Sequence, residues 1–276
     1  WERDEIKKII DREDFNIIKK HYGLDQEANF ENRWHLTVSN DTENIAKDSE
    51  FENEKLEDIV KKSNKALHKV RKLRAPPSLD KKQLASWNAL VIKALAVSGR
   101  VLERKDYIQS ARESLEFIEK NQFDKNTLMA CYINKMSKFP AYLDDHAFLL
   151  DAILEFLQSE WDTKLLHFAI KLADILIDNF LDEEKGGFFF TRNNHEKLIF
   201  RSKPMSDDAM PSGNGIACFT LQRLGFLVGD EKYLRASKKT LESGFSLLKE
   251  SPHGHLNLLN ALEEYLDPPE SIIIVG

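Results

Sequence analysis

Three segments of the chain superpose without a gap when Asn88, His146 and Asn214 are set at a common origin. Seven residues on, each segment carries an aliphatic residue (Leu95, Ile153, Leu221). Nineteen residues on stand Tyr107, Leu165 and Tyr233, and twenty-three on stand Ala111, Ala169 and Ser237. Each unit reads as an apolar helix, a short turn and a more charged amphipathic helix. Such a unit cannot bury its apolar face alone, so the units must stack on one another. The turns carry matching chemistry: Gly229 supplies a helix C-terminal glycine followed by Asp230 as an N-cap, and Asp162 is placed to cap in the same way. A fourth first helix fits at His255, with Leu258, Leu259, Ala261 and Leu262 at the matching offsets, and two helical stretches, about 3–21 and 55–73, precede the repeats.

The first helix of each pair is apolar nearly all round (89–97, 216–221), whereas the second has only an apolar stripe. A helix enclosed by others must be apolar on every side, so the pattern separates an inner from an outer ring. The fold class expected is all-α: an (α/α)6 toroid of helical hairpins, in whole or in part, with small β-hairpin insertions. The aromatic run Gly186–Thr191, the polar turn 192–197 and the run Leu198–Arg201 read as a β-hairpin over the barrel mouth. A smaller excursion spans about 127–140.

Length and charge bound the rest. Repeat-built folds of 276 residues commonly form one unit, so 1–276 is expected as a single toroid domain, with disorder confined to polar stretches such as 38–54. Lys93, Asp151 and Arg223 interrupt every apolar run before it reaches membrane-spanning length, which argues against a membrane partner. The net charge of −6 is dispersed, without the basic clusters that bind a phosphate backbone, which argues against nucleic acid. Cys131 and Cys218 stand far apart in no metal-ligand or disulfide pattern, so no cofactor or metal is expected and a reducing cytosol fits best. The chain starts at Trp1 inside a charged helical pattern and ends at Ile272–Gly276 as a strand just beginning, which reads as a fragment of a longer protein.

Polar residues cluster ahead of each inner helix. They are Asp80, Lys82, Trp87 and Asn88; Asp144, Asp145 and His146; Asp207, Ser212 and Asn214; and His253 with His255. If the inner helices run parallel, the clusters meet at one end of the barrel. Two carboxylates there would allow glycoside chemistry, one protonating the leaving oxygen and the other acting as base or nucleophile. Proton abstraction beside a sugar carbonyl would instead use poised bases, for which His146 and His255 are the candidates. Each residue also has a plain structural role open to it. An aspartate caps a helix, Asp80 with Gln83 resembles a capping box, Ser212 and Asn214 suit a tight turn, and Trp87 fills a core as readily as it stacks on a sugar.

Several motifs occur together in order: Tyr22-Gly with Asn29-Phe-Glu31, Leu79-Asp80-x-Lys82 with Ser86-Trp-Asn88, Tyr142-Leu-Asp-Asp145, Gly186-Gly-Phe-Phe-Phe190, and Asp207-x-Ala-Met-Pro-Ser-Gly-Asn214. The chain in this respect resembles the YyaL and spermatogenesis-associated protein 20 family, in which a thioredoxin-like domain precedes a six-hairpin toroid similar to N-acylglucosamine 2-epimerase. The resemblance implies the same toroid, a thioredoxin-like domain upstream and further chain downstream. His146 departs from the family pattern, which has Tyr there, and Asp208 stands where Gly is usual. The expected function is a carbohydrate-active or carbohydrate-binding toroid, glycosidase- or sugar-epimerase-like, that takes a small sugar-like ligand. Asp144, Asp145, Asp207 and His146 are the catalytic candidates, and Asp80, Lys82, Trp87, Asn88, Ser212 and Asn214 would bind substrate. The alternative is a non-catalytic interaction module serving the thioredoxin-like domain of the same protein.

Overall fold

The computed structural model describes residues 1–196, 198–268 and 270, so the strand expected at Ile272–Gly276 lies outside the described residues. Backbone contacts divide the chain into two compact units, Trp1–Asp80 and Lys81–Gly276. No helix among the described residues is long and apolar enough to cross a membrane.

The first unit holds α1 (Arg3–Ile9), α2 (Arg12–His21), α3 (Thr42–Lys47) and α4 (Asn53–Arg71). The stretch expected to be helical over 3–21 is thus two helices. Its core gathers Ile6, Ile18, Leu24 and Leu67, and a second cluster joins Ile17, Ile45 and Leu56. That second cluster corrects the expectation of disorder over 38–54. Asp41 caps α3 through a bond from Asn44 N–H at 2.7 Å, and the apolar side chain of Ile45 is buried, which gives this polar stretch enough burial to order it.

The second unit is built from hairpins. Helix α5 (Ala85–Val101) pairs with α6 (Lys105–Gln122), α7 (Leu143–Leu157) with α8 (Thr163–Phe180), and α9 (Gly213–Val228) with α10 (Glu231–Glu250), and α11 (Leu256–Leu266) follows. Packing runs in series from α5 to α7, α9 and α11, and each of α6, α8 and α10 lies against its own partner. These are the inner and outer layers that the repeat demands. Every residue of α7 except Asp144 is buried, as befits a helix walled in on all sides. The twenty-third position of the repeat (Ala111, Ala169, Ser237) is fully buried in all three units, where only a small side chain fits between the layers. The expected caps are present: Gly229 adopts φ 70° at the end of α9, Asp230 accepts from Lys232 N–H, and Asp162 accepts from Lys164 N–H. Both cysteines are buried, and burial pushes the Cys218 thiol up to about 12.

Strands are short. β1 (Gln83–Leu84), β2 (Phe123–Asp124) and β4 (Met136–Pro140) each pair antiparallel with β3 (Thr127–Ile133). The turns Lys125-Asn126 and Asn134-Lys135 have positive φ at both residues, the geometry of a tight two-residue hairpin. The excursion at 127–140 is therefore the real β-hairpin.

The hairpin expected over 186–201 is not formed among the described residues. Gly186 and Gly187 adopt φ 71° and 74°, which breaks the extended run, and only isolated bonds such as Phe190 N–H to Ser202 O (2.8 Å) cross the segment. Its anchor is instead the buried ring of Phe188. The expected Asp80/Gln83 capping box is also absent. Gln83 is in β1, and α5 begins at Ala85 with no cap from its own N-cap side chain.

Candidate functional site

The inner helices of the second unit run parallel, and their N-termini are stitched level by carboxylates. Asp145 Oδ2 accepts from Tyr142 N–H at 2.9 Å, closing the capping box of α7, and its Oδ1 accepts from Ser86 N–H at 3.0 Å in the first turn of α5. Asp207 repeats the device one step along. Its Oδ1 accepts from Ser212 N–H (2.8 Å) and the Asn257 side-chain amide (3.0 Å), and its Oδ2 accepts from Asn257 N–H (2.9 Å) in the first turn of α11. Helix N-termini present unpaired N–H groups and a partial positive charge, so a carboxylate placed between two of them satisfies both. Burial works to raise the Asp207 carboxyl, but the Asn257 and Ser212 bonds prevail and hold it below the usual carboxylate range. For Asp145 burial wins and raises it. Ser212 is itself the N-cap of α9, accepting from Gly215 N–H at 3.0 Å.

Asp144 lies between these two staples and behaves differently. Its Oδ1 is buried without a hydrogen-bond partner. Burial, followed by the charge of neighbouring Asp145, pushes it up to about 6, and the nearby Gly213 backbone N–H offsets this only in part. The first residue of α9 has to be glycine here, because a Cβ on Gly213 would overlap the Asp144 carboxylate and crowd Leu143. A carboxyl held at about 6 keeps its proton at mildly acidic pH and can donate it there, which the fully bonded Asp145 and Asp207 are poorly set to do.

The shared head of the repeat has a structural office. The Asn88 side-chain amide donates to Leu84 O (2.8 Å), His146 Nδ1 bonds Tyr142 O (2.8 Å) and His255 Nδ1 bonds Ser251 O (2.8 Å), each four residues back. Asn214 is wholly buried and binds the aromatic segment instead. Its Oδ1 accepts from Phe188 N–H (2.6 Å), and its Nδ2 donates to Phe188 O (2.9 Å) and Pro204 O (2.8 Å). His146 is also fully buried, its ring 5.0 Å from that of Phe180, and burial brings it down to about 4, so it is neutral over the physiological range. Trp87 is 59% exposed on the first turn of α5, with no bond or ring contact to the aspartates. Asp80 and Lys82 are exposed. The structure thus draws Asp144, Asp145, Asp207 and Ser212 to the ends of the inner helices, and it gives Asn88, His146 and Asn214 to the loops behind them.

A second group of charges went unread in the sequence. Lys93 Nζ lies 2.7 Å from Asp151, Arg223 lies 3.7 Å from Asp151 and 2.8 Å from Glu155, and Arg100 lies 3.2 Å from Glu155. This network ties α5, α7 and α9 together along their length. Burial raises Asp151, whereas Arg223 and Arg100 hold Glu155 below its ordinary range against its own burial. The signal was there to find, since Lys93 and Asp151 share one repeat offset on otherwise apolar helices.

Serial parallel inner helices, of which α5, α7 and α9 are each backed by an outer helix, are the layering of the (α/α)6 toroid class. Solved structures agree on the fold: a GH76 alpha-mannanase from Bacteroides thetaiotaomicron superposes with a TM-score of 0.55 at 15% identity, covering 71% of this chain and 55% of that one. A cellobiose 2-epimerase from Bacillus thermoamylovorans superposes with a TM-score of 0.50 at 15% identity, covering 68% and 55%. No family model matches the chain. In sequence it is similar to spermatogenesis-associated protein 20, 26% identical to the proteins of Rattus norvegicus and Homo sapiens over 94% of its own length. It is also 23% identical over its full length to an uncharacterized protein of Caenorhabditis elegans. The chain spans 36% and 41% of the lengths of these relatives.

Proposed function

We propose that the second unit carries a saccharide site at the N-terminal ends of its inner helices, with Asp144 as the proton donor. The observation that carries this reading is the half-open carboxyl of Asp144, bare at Oδ1 and raised to about 6, set between two aspartates that are consumed by backbone N–H groups. A raised carboxylic acid is what protonation of a glycosidic or carbonyl oxygen requires. The exposed face of Trp87 offers a stacking surface of the kind sugar rings use. Asp145 and Asp207 serve in this reading as positioning residues, and His146 holds the loop ahead of α7. The toroid fold shared with a mannanase and an epimerase is consistent with sugar chemistry, and the two unpaired buried thiols fit a cytosolic setting. The test is a panel of neutral mono- and disaccharides screened by saturation-transfer NMR against wild type and D144N, with solvent-deuterium incorporation beside the anomeric carbon for any aldose that binds. Turnover that D144N abolishes and that falls as pH rises above about 6 supports the role. Absence of binding by the whole panel at millimolar concentration overturns it.

A second reading rests on the full engagement of Asp145, Asp207, Ser212 and Asn214 by backbone groups, which leaves little polar surface for a substrate. Here the chain is a non-catalytic module for a thioredoxin-like domain of the same protein. Under this reading the isolated thioredoxin-like domain is captured equally by wild type and D144N, and no saccharide competes.

A further inference from the structure

Beyond the aspartate staples, the turn after Thr191 is strapped onto the end of α8. Asn193 N–H donates to Asn179 O (2.8 Å), the Asn193 side chain to Asp178 O (3.2 Å), and Arg192 Nη2 to Asn179 Oδ1 (3.2 Å). These bonds hold the Arg192 guanidinium half-buried, close enough to His146 for its charge to act on that ring. Among the described residues no carboxylate acts on Arg192. Burial alone pulls it below its ordinary range. The carbonyls at the C-terminal end of α8 offset part of the charge and supply no counter-ion.

Around the guanidinium, polar atoms lack partners. Arg192 Nε, His146 Nε2, Thr191 Oγ1 and His195 Nδ1 are all buried and unbonded. The His195 ring lies 6.2 Å from that of Tyr142, which stacks on Phe190, so the aromatic residues close the same small region from the side. Buried polar atoms are seldom left unpaired, and several together mark the place of a polar guest. The chemistry of the four atoms describes that guest. Arg192 offers a charged donor. His146 donates Nδ1–H to Tyr142 O, so its Nε2 is left as a buried lone-pair acceptor without a partner.

We propose that the nest formed by the first turn of α7, the end of α8 and residues 191–195 binds a small hydroxylated oxyanion, a carboxylate or phosphate, with Arg192 on the anion and His146 Nε2 accepting from the adjacent hydroxyl. This site does not include Asp144, Asp145 or Asp207 and does not rest on the saccharide reading. The test titrates inorganic phosphate and, separately, D-glucuronate into wild type, R192Q and H146Q at fixed ionic strength, with sodium chloride and D-glucose as controls, read by calorimetry and thermal shift. Saturable binding of either anion, weakened at least about tenfold in R192Q, is expected, because a charge-assisted bond is lost. Glucuronate should also weaken in H146Q, whereas glucose and chloride stay silent. Phosphate alone binding would assign a phosphate ligand, and glucuronate alone a carboxylate. The proposal is overturned if neither anion binds saturably, which would leave only water in the nest, or if R192Q binds both as tightly as wild type. Arg192 is only half-buried and the Asn193 bonds to α8 remain, so R192Q is expected to keep the fold, which its thermal unfolding in the absence of anion checks.

Discussion

Replacing Asp144 by Asn is expected to stabilise the folded chain at neutral pH. Asp144 is held at about 6 in the folded state against an ordinary value of 3.8, chiefly by burial and then by Asp145. The folded state therefore binds its proton more tightly than the unfolded chain does. Stability from this group is complete below about pH 3.8 and is lost as pH rises through about 6, above which the ionised carboxylate sits in an unfavourable place. A difference of about two pKa units at 1.36 kcal/mol each sets a ceiling of about 3 kcal/mol. Partial solvent access at the open end of α7 reduces the expected gain to about 1–2 kcal/mol. Asparagine is nearly isosteric with the protonated acid and does not ionise. Urea unfolding of wild type and D144N at pH 3.5, 5, 6 and 7.5 should thus show near-equal stability at the lowest pH and a growing advantage for D144N toward pH 7.5. Titrating groups other than the coupled neighbour Asp145 cancel in the difference. A stability difference that is flat with pH, or that favours wild type at pH 7.5, would refute the reasoning.

Four further outcomes follow from the same geometry. N214A should lower stability by about 3 kcal/mol or more in thermal unfolding, because it strands both backbone groups of buried Phe188 and the carbonyl of Pro204. G213A should destabilise through the clash with Asp144, and D144A should recover part of that loss, giving a non-additive double-mutant cycle. Additivity would disprove the contact. D145A removes an acceptor shared by two helices and should cost about 2–4 kcal/mol, roughly twice a single cap, as measured by urea midpoint. D151A leaves Lys93 without its partner and removes one acidic neighbour of Arg223, and should cost about 3–5 kcal/mol, whereas D151A with K93M should cost less.

The hairpin order, the layers and the caps at Asp162 and Gly229 were legible because they are local: a 3.6-residue apolar period and a glycine at a helix end depend on near neighbours alone. The meeting of the clusters at one end was legible only as a condition, because the alternation of apolar and amphipathic helices does not by itself fix whether the inner helices run parallel. What each residue does there was not. Asp144 and Asp145 are adjacent in sequence and chemically identical, yet one is consumed by two helices and the other is left with a bare oxygen, a difference set by Ser86 and Gly213 from distant hairpins. The aromatic run 186–190 misled for a related reason. Its composition suits a strand, but two positive-φ glycines and the Asn214 side chain, 26 residues from Phe188, decide its path.

The two carboxylate staples bear on how the repeat array holds together when cut. Asp145 rises from the second hairpin and completes a helix of the first, whereas Asp207 precedes the third and completes the helix that follows it. The first hairpin and α11 are therefore each unfinished without a carboxylate lent by a neighbour, so loss of the lending unit exposes N–H groups in them as well as apolar surface. In a linear array this raises the nearest-neighbour coupling relative to the intrinsic stability of a unit, which sharpens cooperativity. A chain ending after α10 would keep Asp207 but deprive it of both Asn257 bonds, and unfolding should then spread from that end through α9 instead of stopping at the cut.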